Sequence, residues 1–148
     1  MVSWTTIRLL LTLTLVLGWF TRQIDFVLAF PQADTKTDLF MEVSSHFEVI
    51  NGELTQNTRA LNPRHQPNVL KLLKNLYGLK DAGLTWLEHL KNGLIKRGFK
   101  QSLVEPCMFV KGTLILLVYV DDCIALCPRN QPITDFIQSM QTDYYVLT

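Results

Sequence analysis

Apolar residues form two long runs near the start of the chain, and these runs predict the first two elements. Residues 9–20 read LLLTLTLVLGWF, and we expect a buried helix that begins after an N-cap at Ser3 and ends at Gly18. Residues 19–30 mix β-branched and aromatic side chains and stop at Pro31, which is typical of a strand. The pattern therefore predicts an N-terminal helix followed by a strand.

The middle of the chain is more polar and contains one clear helical pattern. Residues 39–43 are a short strand candidate, and residues 44–68, with Asn51-Gly52 and two prolines, predict a hairpin tip and loop. Between residues 69 and 99, leucines recur every three or four positions. This spacing predicts a helix over the second part of that segment.

The end of the chain predicts a hairpin and a further helix. Residues 113–120 and 123–127 are apolar β-rich runs, with Asp121-Asp122 between them as a two-residue turn candidate. Residues 128–131 break the pattern, and residues 133–140 predict the start of a helix. Strands separated by helices, with a hairpin near the end, indicate an α+β fold with helices packed on one face of an antiparallel sheet.

Composition adds a size class and a charge asymmetry to this picture. The 148 residues, of which 48% are hydrophobic and 18% charged, suffice for one domain with a buried core. The net charge is only +1, but residues 59–100 contain nine basic side chains and two acidic ones. That segment suits a surface that meets a phosphate backbone, although a solvated helix with lysines on its outer face explains the same charges.

The apolar run near the N-terminus also has a membrane interpretation. It resembles the core of a signal peptide, but its 12 residues fall short of the roughly 20 that a membrane-spanning helix needs. We therefore favour a buried helix, with a small membrane-anchored protein that uses residues 9–20 as an alternative. The three cysteines form neither an even disulfide set nor a Cys-x-x-Cys pair, which fits a reducing intracellular compartment.

Three aspartates occupy positions where a carboxylate is costly. Asp121 and Asp122 are adjacent like charges between apolar strands, and Asp25 interrupts an apolar strand. A divalent cation would relieve both the repulsion and the lost solvation, although an ordinary surface turn also accepts an Asp pair. If the two strands are neighbours in one sheet, Asp25 and Asp121 are placed to share two divalent cations. Polymerases use that arrangement for nucleotidyl transfer, and Mg²⁺ is the natural ion for hard oxygen ligands.

Several segments, in order, resemble the reverse transcriptases of copia-type LTR retrotransposons, from about residue 3 to the end. Residues 23–31, QIDFVLAFP, are similar to the family's first palm motif, which reads approximately QLDVKNAFL. The segments LFME at 39–42, LYGLKDA at 76–82 and EPCMF at 105–109 resemble later family patterns, as do Trp86 and Gly98-Phe99. LVYVDD at 117–122 matches the family's catalytic hairpin residue for residue.

The resemblance implies a palm-type antiparallel sheet with the YVDD hairpin near its C-terminal end, and it assigns the metal chemistry. Asp25, Asp121 and Asp122 would be the catalytic residues. Together with the backbone carbonyl of Phe26, they would hold two Mg²⁺ ions, which Mn²⁺ could replace.

The resemblance also assigns the residues that would contact substrates. Phe30, Tyr77 and Gly78 would contact the incoming deoxynucleoside triphosphate, and the Phe30 ring would exclude a ribose 2′-hydroxyl. Without the motif, Phe30 would be interpreted as a core aromatic residue. The side chains expected at the template and primer are Tyr119, Lys80 and Lys74.

As a whole, the resemblance implies an RNA-directed DNA polymerase that takes an RNA or DNA template with a primer. The rest of a Pol polyprotein, with integrase and RNase H, would be its partner. Residues 1–148 would form one partial domain of fingers and palm, in which the start of the fingers and the thumb are missing. We expect the chain to be intracellular, in the cytoplasm, a virus-like particle or the nucleus. Secretion and stable membrane association are not expected.

Some departures from the family pattern fall at positions where they could alter function. Val27 and Leu28 stand where the family has Lys-Asn, Asp81 replaces a glutamine, and Gly83 replaces a proline. An acid at position 81 would repel the phosphates of template or nucleotide. A catalytically inactive, truncated transposon product that at most binds nucleic acid is therefore an alternative to an active enzyme.

Overall fold

The computed structural model describes residues 2–42, 47–50, 53–56 and 69–147. Helices and antiparallel strands are mixed along these ranges, which confirms the α+β class. In chain order the elements are α1 Trp4–Leu17, β1 Phe20–Phe26, α2 Ala29–Gln32, β2 Asp34–Glu42, β3 Phe47–Ile50, β4 Glu53–Gln56, β5 Val69–Lys74, α3 Ala82–Lys96, β6 Lys100–Gln101, β7 Met108–Lys111, β8 Leu114–Tyr119, β9 Asp122–Cys127, α4 Asn130–Gln141 and β10 Val146–Leu147.

A six-stranded antiparallel sheet organises most of these elements. Its strand order is β10-β1-β9-β8-β7-β6, so β1 is inserted between the last strand and the β8–β9 hairpin. Two smaller antiparallel pairs, β2 with β5 and β3 with β4, lie outside this sheet. The placement of β1 brings Asp25 beside Asp122 of the hairpin.

Helices α3 and α4 pack on one face of the six-stranded sheet. Each helix presents an apolar stripe at three- or four-residue spacing, and alternate residues of β1, β8 and β9 face those stripes. Burial of such stripes is the main force that fixes a helix on a sheet. The principal members of this core are Ile24, Phe26, Trp86, Leu90, Leu94, Phe109, Leu116, Val118, Cys123, Ala125, Ile133, Phe136, Ile137 and Met140.

The N-terminal helix has the predicted ends but not the predicted burial. It begins after Ser3 and ends at Gly18, whose φ of 66° is the left-handed conformation of a helix C-cap. Thr14 is its only buried residue, and side chains such as Leu9 and Leu15 are exposed. The prediction of a buried helix was wrong because leucines surround this helix on all sides, and one packing surface can cover only one stripe. Among the residues described, no helix is both long and apolar enough to cross a membrane.

The strand predicted over residues 19–30 is shorter in the structure. β1 ends at Phe26, Leu28 adopts a left-handed φ of 51°, and the chain then forms the single turn α2. The side-chain amide of Gln32 donates to the carbonyl of Val27 at 2.7 Å, which stabilises this reversal. Apolar character alone could not distinguish a continued strand from this turn.

Other elements match the predictions in kind and differ in length. β2 extends beyond residues 39–43 because it pairs with β5, whose residues precede the helical segment. α3 lies in the second part of residues 69–99, and α4 begins three residues before position 133. Within residues 44–68, the structure describes the pair β3 and β4, and the remainder of that predicted hairpin and loop lies outside the described residues.

Candidate active site

The three predicted catalytic aspartates lie on two neighbouring parts of the sheet: Asp25 is on β1, and Asp121 and Asp122 are in the β8–β9 hairpin beside it. Asp25 is directly opposite Asp122 in the antiparallel pairing, which places their Cα atoms about 4.5–5.5 Å apart. The N–H of Phe26 donates to the carbonyl of Asp121 at 2.9 Å. Tyr119 is opposite Asp122 on the other side, so the turn comprises Val120 and Asp121, one residue earlier than predicted.

Alternation along the strands directs the Asp25 and Asp122 carboxylates to one face of the sheet. Ile24, Phe26 and Cys123 point into the core under α3 and α4, so their neighbours Asp25 and Asp122 point to the opposite face. The amide of Gln23 donates to Oδ1 of Asp122 at 3.1 Å on that face. Two like charges at directly opposed positions repel, so this pairing is unfavourable without a compensating positive charge.

The donor chemistry of this face fits a hard divalent cation. Carboxylate and backbone carbonyl oxygens are the ligands that Mg²⁺ and Mn²⁺ prefer, and Asp25 with Asp122 supplies a facing pair of them. In the described part of the chain, no group of three or more His, Cys, Asp or Glu side chains is gathered closely enough to hold a metal ion. The arrangement is thus a pair of opposed carboxylates with Asp121 adjacent in the turn.

The turn that carries Asp121 is held by a contact that the sequence did not predict. Trp86 is fully buried on α3, and its indole Nε1–H donates to the carbonyl of Val120 at 2.6 Å. From the sequence, Trp86 is only a position that matches the family pattern. Its partner lies 34 residues further along the chain, so only the docking of α3 on the sheet reveals the contact.

The predicted nucleotide-contacting residues form a second group. Phe30, half-buried on α2, lies against Tyr77, with ring centroids 4.6 Å apart and planes inclined by 44°. Gly78 follows with a φ of 94°, and a Cβ built there would meet no atom within 4 Å. The backbone at Gly78 is therefore accessible, and its conformation favours glycine. Their contact with a nucleotide stays a prediction.

The residues predicted to contact template and primer are dispersed. Lys74, on β5, forms an ion pair with Asp34 at 2.6 Å, and both side chains are exposed. The hydrogen bond and charge of Lys74 lower the pKa of the Asp34 carboxyl. Lys80 is exposed after Gly78, and Tyr119 is half-exposed at the end of β8. The charge of Lys74 is thus partly compensated within the chain, which weakens the purely electrostatic reason for placing a phosphate there.

The three cysteines are not arranged for nucleophilic chemistry. All three are free and buried. Burial, with a smaller contribution from the charge of the neighbouring Asp122, raises the pKa of the Cys123 thiol to about 12. Because the thiolate is the reactive form, Cys123 is inert at neutral pH.

A buried carboxylate outside the site fixes the start of α1. Glu105, before β7, accepts hydrogen bonds from the Ser3 N–H at 2.9 Å, from the Thr6 hydroxyl and from the Cys107 N–H. These donors, the Ser3 N–H first, lower the pKa of Glu105 despite its burial. Since α1 has no acidic residue in its first turn, Glu105 supplies the negative charge that a helix N-terminus favours.

Comparison with known proteins identifies the family of this chain. The family model described as reverse transcriptase (RNA-dependent DNA polymerase) matches residues 1–147. The retrovirus-related Pol polyprotein from transposon RE1 of Arabidopsis thaliana is 34% identical over 81% of this chain and 8% of its own length. The corresponding polyprotein from transposon TNT 1-94 of Nicotiana tabacum is 30% identical over 83% of this chain and 9% of its own length.

A yeast protein is also similar to this chain. The truncated transposon Ty1-A Gag-Pol polyprotein of Saccharomyces cerevisiae is 29% identical over 77% of this chain and 8% of its own length. The chain therefore spans less than a tenth of the length of these three curated relatives. No solved structure matches significantly. Because the family model covers nearly every residue, the chain belongs to the reverse transcriptase family of RNA-dependent DNA polymerases.

Proposed function

We propose that this chain is the fingers and palm portion of an RNA-directed DNA polymerase from a copia-type retrotransposon Pol polyprotein. The observation that supports it most is the register that sets Asp25 opposite Asp122, with Asp121 hydrogen-bonded to β1 through its carbonyl. An ordinary surface turn gives no reason for a third acid on the neighbouring strand. The family supplies the reaction class, and the register supports a joint role for Asp25 and Asp122, which are 97 positions apart.

In this proposal Asp25, Asp121 and Asp122 are the catalytic carboxylates, and the Phe26 carbonyl completes the ligand set for two Mg²⁺ or Mn²⁺ ions. Bound metal would supply Lewis-acid activation of the primer 3′-hydroxyl and neutralise charge on the departing pyrophosphate. The contribution of the chain is to hold Asp25 and Asp122 on neighbouring strands, with Asp121 in the adjoining turn, because sites on strands are more precise than sites on loops.

Phe30 and Tyr77, whose rings are in contact, would form the deoxynucleotide pocket together with Gly78. A phenyl ring at this position excludes a 2′-hydroxyl by volume, and the exposed backbone of Gly78 permits close approach of the nucleotide. Lys74, Lys80 and Tyr119 would contact template and primer. The natural partners would be the integrase and RNase H segments of the polyprotein, and the chain would act in the cytoplasm, a virus-like particle or the nucleus.

Primer extension on an RNA template tests this function. The purified chain is incubated with an annealed DNA primer and deoxynucleotides, in Mg²⁺ and separately in Mn²⁺. Asp25→Asn and Asp121→Asn are expected to lower incorporation at least about 100-fold, because each removes several kcal/mol of metal-dependent stabilisation. Asp135→Asn is the matched control, since Asp135 is an exposed aspartate of α4 that accepts a hydrogen bond from Gln131.

The possible outcomes separate an enzyme from an inactive relic. Incorporation that survives Asp135→Asn and is lost in both other variants supports the proposal. Template binding without incorporation, in either metal, would favour the alternative of a truncated transposon product that only binds nucleic acid. Equal incorporation by all four proteins would contradict the assignment of the aspartates and indicate a contaminating polymerase.

A further inference from the structure

The turn that carries Asp121 has a backbone conformation that it would not adopt unaided. Val120 has a φ of 55°, in the left-handed region that a β-branched side chain strongly disfavours. Such a conformation persists only when surrounding contacts over-determine it. The indole of Trp86 makes one of these contacts by donating to the Val120 carbonyl at 2.6 Å.

The same indole also touches the other acid-bearing strand. The rings of Trp86 and Phe26 meet edge to face with centroids 5.4 Å apart. Phe26 follows Asp25 directly, and its N–H donates to the Asp121 carbonyl at 2.9 Å. One fully buried side chain thus contacts the chain neighbour of Asp25 and the chain neighbour of Asp121.

We propose that Trp86 is a positioning residue for the metal-binding carboxylates, and that its indole N–H acts on the Val120–Asp121 turn. This role rests on the function proposed above. Loss of the donor leaves the Val120 carbonyl without this bond and removes a restraint on its left-handed conformation. The turn then relaxes, and Asp121 moves relative to Asp25. A residue that merely fills the core would need the volume of the indole but not its N–H.

The test separates these two roles by removing the N–H with and without the volume. Site-specific replacement of Trp86 by 3-benzothienylalanine keeps the bicyclic shape and lacks the donor, whereas Trp86→Phe removes both donor and volume. Trp4→Phe is the matched control, because Trp4 is 73% exposed on α1, away from this contact.

Hydrogen exchange of backbone amides reports the turn directly and needs no activity. The Phe26 amide, bonded to the Asp121 carbonyl, is the reporter, and the Val118 amide, bonded to the Cys107 carbonyl at 2.8 Å, is the internal reference. The benzothienyl protein is expected to lose about tenfold of the protection at Phe26 relative to Val118, which is the effect of one buried hydrogen bond. Unchanged relative protection at Phe26 would overturn the proposal, whether or not the chain is an active enzyme.

Primer extension then measures the consequence for the site. The benzothienyl protein is expected to show about tenfold lower kcat and a raised Mn²⁺ concentration for half-maximal rate, with an unchanged KM for template-primer. Loss of protection with unaltered kcat and Mn²⁺ dependence would overturn a role in positioning the carboxylates. If the unmodified chain incorporates nothing and binds no Mn²⁺, both the proposed function and the positioning of metal ligands by Trp86 fail. The exchange data would still decide whether Trp86 holds the turn.

Discussion

Gly93 of α3 lies at a point where the structure leaves no room for a methyl group. A Cβ built on Gly93 would be 2.1 Å from Oη of Tyr144 and 3.0 Å from Cζ of the same ring. Tyr144 is 7% exposed, and its ring packs edge to face against Phe26 at 5.9 Å. Its hydroxyl donates to the carbonyl of His89 at 3.3 Å. The ring is therefore held from several sides and cannot move away without losing these contacts.

Gly93→Ala is accordingly expected to destabilise the fold by about 0.5–3.5 kcal/mol. Overpacking a core typically costs about 1–3 kcal/mol, and losing the tyrosine hydrogen bond adds about 0.5–1.5 kcal/mol. The better helix propensity of alanine returns about 1 kcal/mol. The comparison is the free energy of unfolding, from urea titration followed by far-UV circular dichroism.

Gly83→Ala provides a control in the same helix. A Cβ at Gly83 meets no atom within 4 Å, so this change should stabilise the chain by up to about 1 kcal/mol. Adding Tyr144→Phe to Gly93→Ala removes Oη of Tyr144, the atom closest to the new Cβ, and should restore part of the lost stability. Such non-additivity of two substitutions is expected only when the two residues are in contact. Equal stability of the two alanine variants would refute the packing of Tyr144 against α3.

Two further perturbations follow from buried titratable groups. Hydrogen bonds lower the pKa of Glu105 in the folded state. The contribution of Glu105 to stability is therefore complete above the ordinary glutamate pKa, and it is lost as the pH falls through the lower pKa of the folded state. Glu105→Gln should therefore reduce the free energy of unfolding at pH 7 by about 0.3–1 kcal/mol. It should also make the urea midpoint fall less steeply between pH 5 and pH 3. If the urea midpoint of the variant falls as steeply as that of the unaltered chain, Glu105 does not anchor α1. The three cysteines are buried, and the pKa of the Cys123 thiol is about 12. The native chain at pH 8 should therefore react with a disulfide reagent many times more slowly than the urea-unfolded chain. Rapid reaction of all three thiols in the native chain would contradict their burial.

Periodicity alone predicted the long, regular elements well. The leucine spacing before Phe99 identified α3, and the two β-rich runs around Asp121 identified β8 and β9. The exposure of α1 was missed because hydropathy measures how apolar a segment is, and it does not report whether a surface is available to cover it. The two-residue strands β6 and β10 are too short to carry any pattern, and they are formed through pairing with β7 and β1.

The sequence nominates the residues of the candidate site, whose roles stay predictions, but it does not reveal the contacts that hold them in place. A carboxylate inside an apolar strand and an Asp pair between two apolar strands are both conspicuous, so Asp25, Asp121 and Asp122 could be singled out from sequence. The Gln32 amide, in contrast, accepts from the Tyr145 N–H at 3.1 Å across a separation of 113 residues. Such a contact depends on how β10 docks beside β1, and no local propensity contains that information. The same holds for the hydrogen bond between Trp86 and Val120.

Mn²⁺ binding, followed by the loss of the free-ion signal in electron paramagnetic resonance, tests the metal-binding role of the three aspartates most directly. We expect the chain to bind Mn²⁺, Asp25→Asn and Asp121→Asn each to weaken that binding at least about tenfold, and Asp135→Asn to leave it unchanged. Absence of binding by the unaltered chain at millimolar Mn²⁺, or binding that is insensitive to Asp25→Asn, would contradict a metal site between β1 and the β8–β9 hairpin.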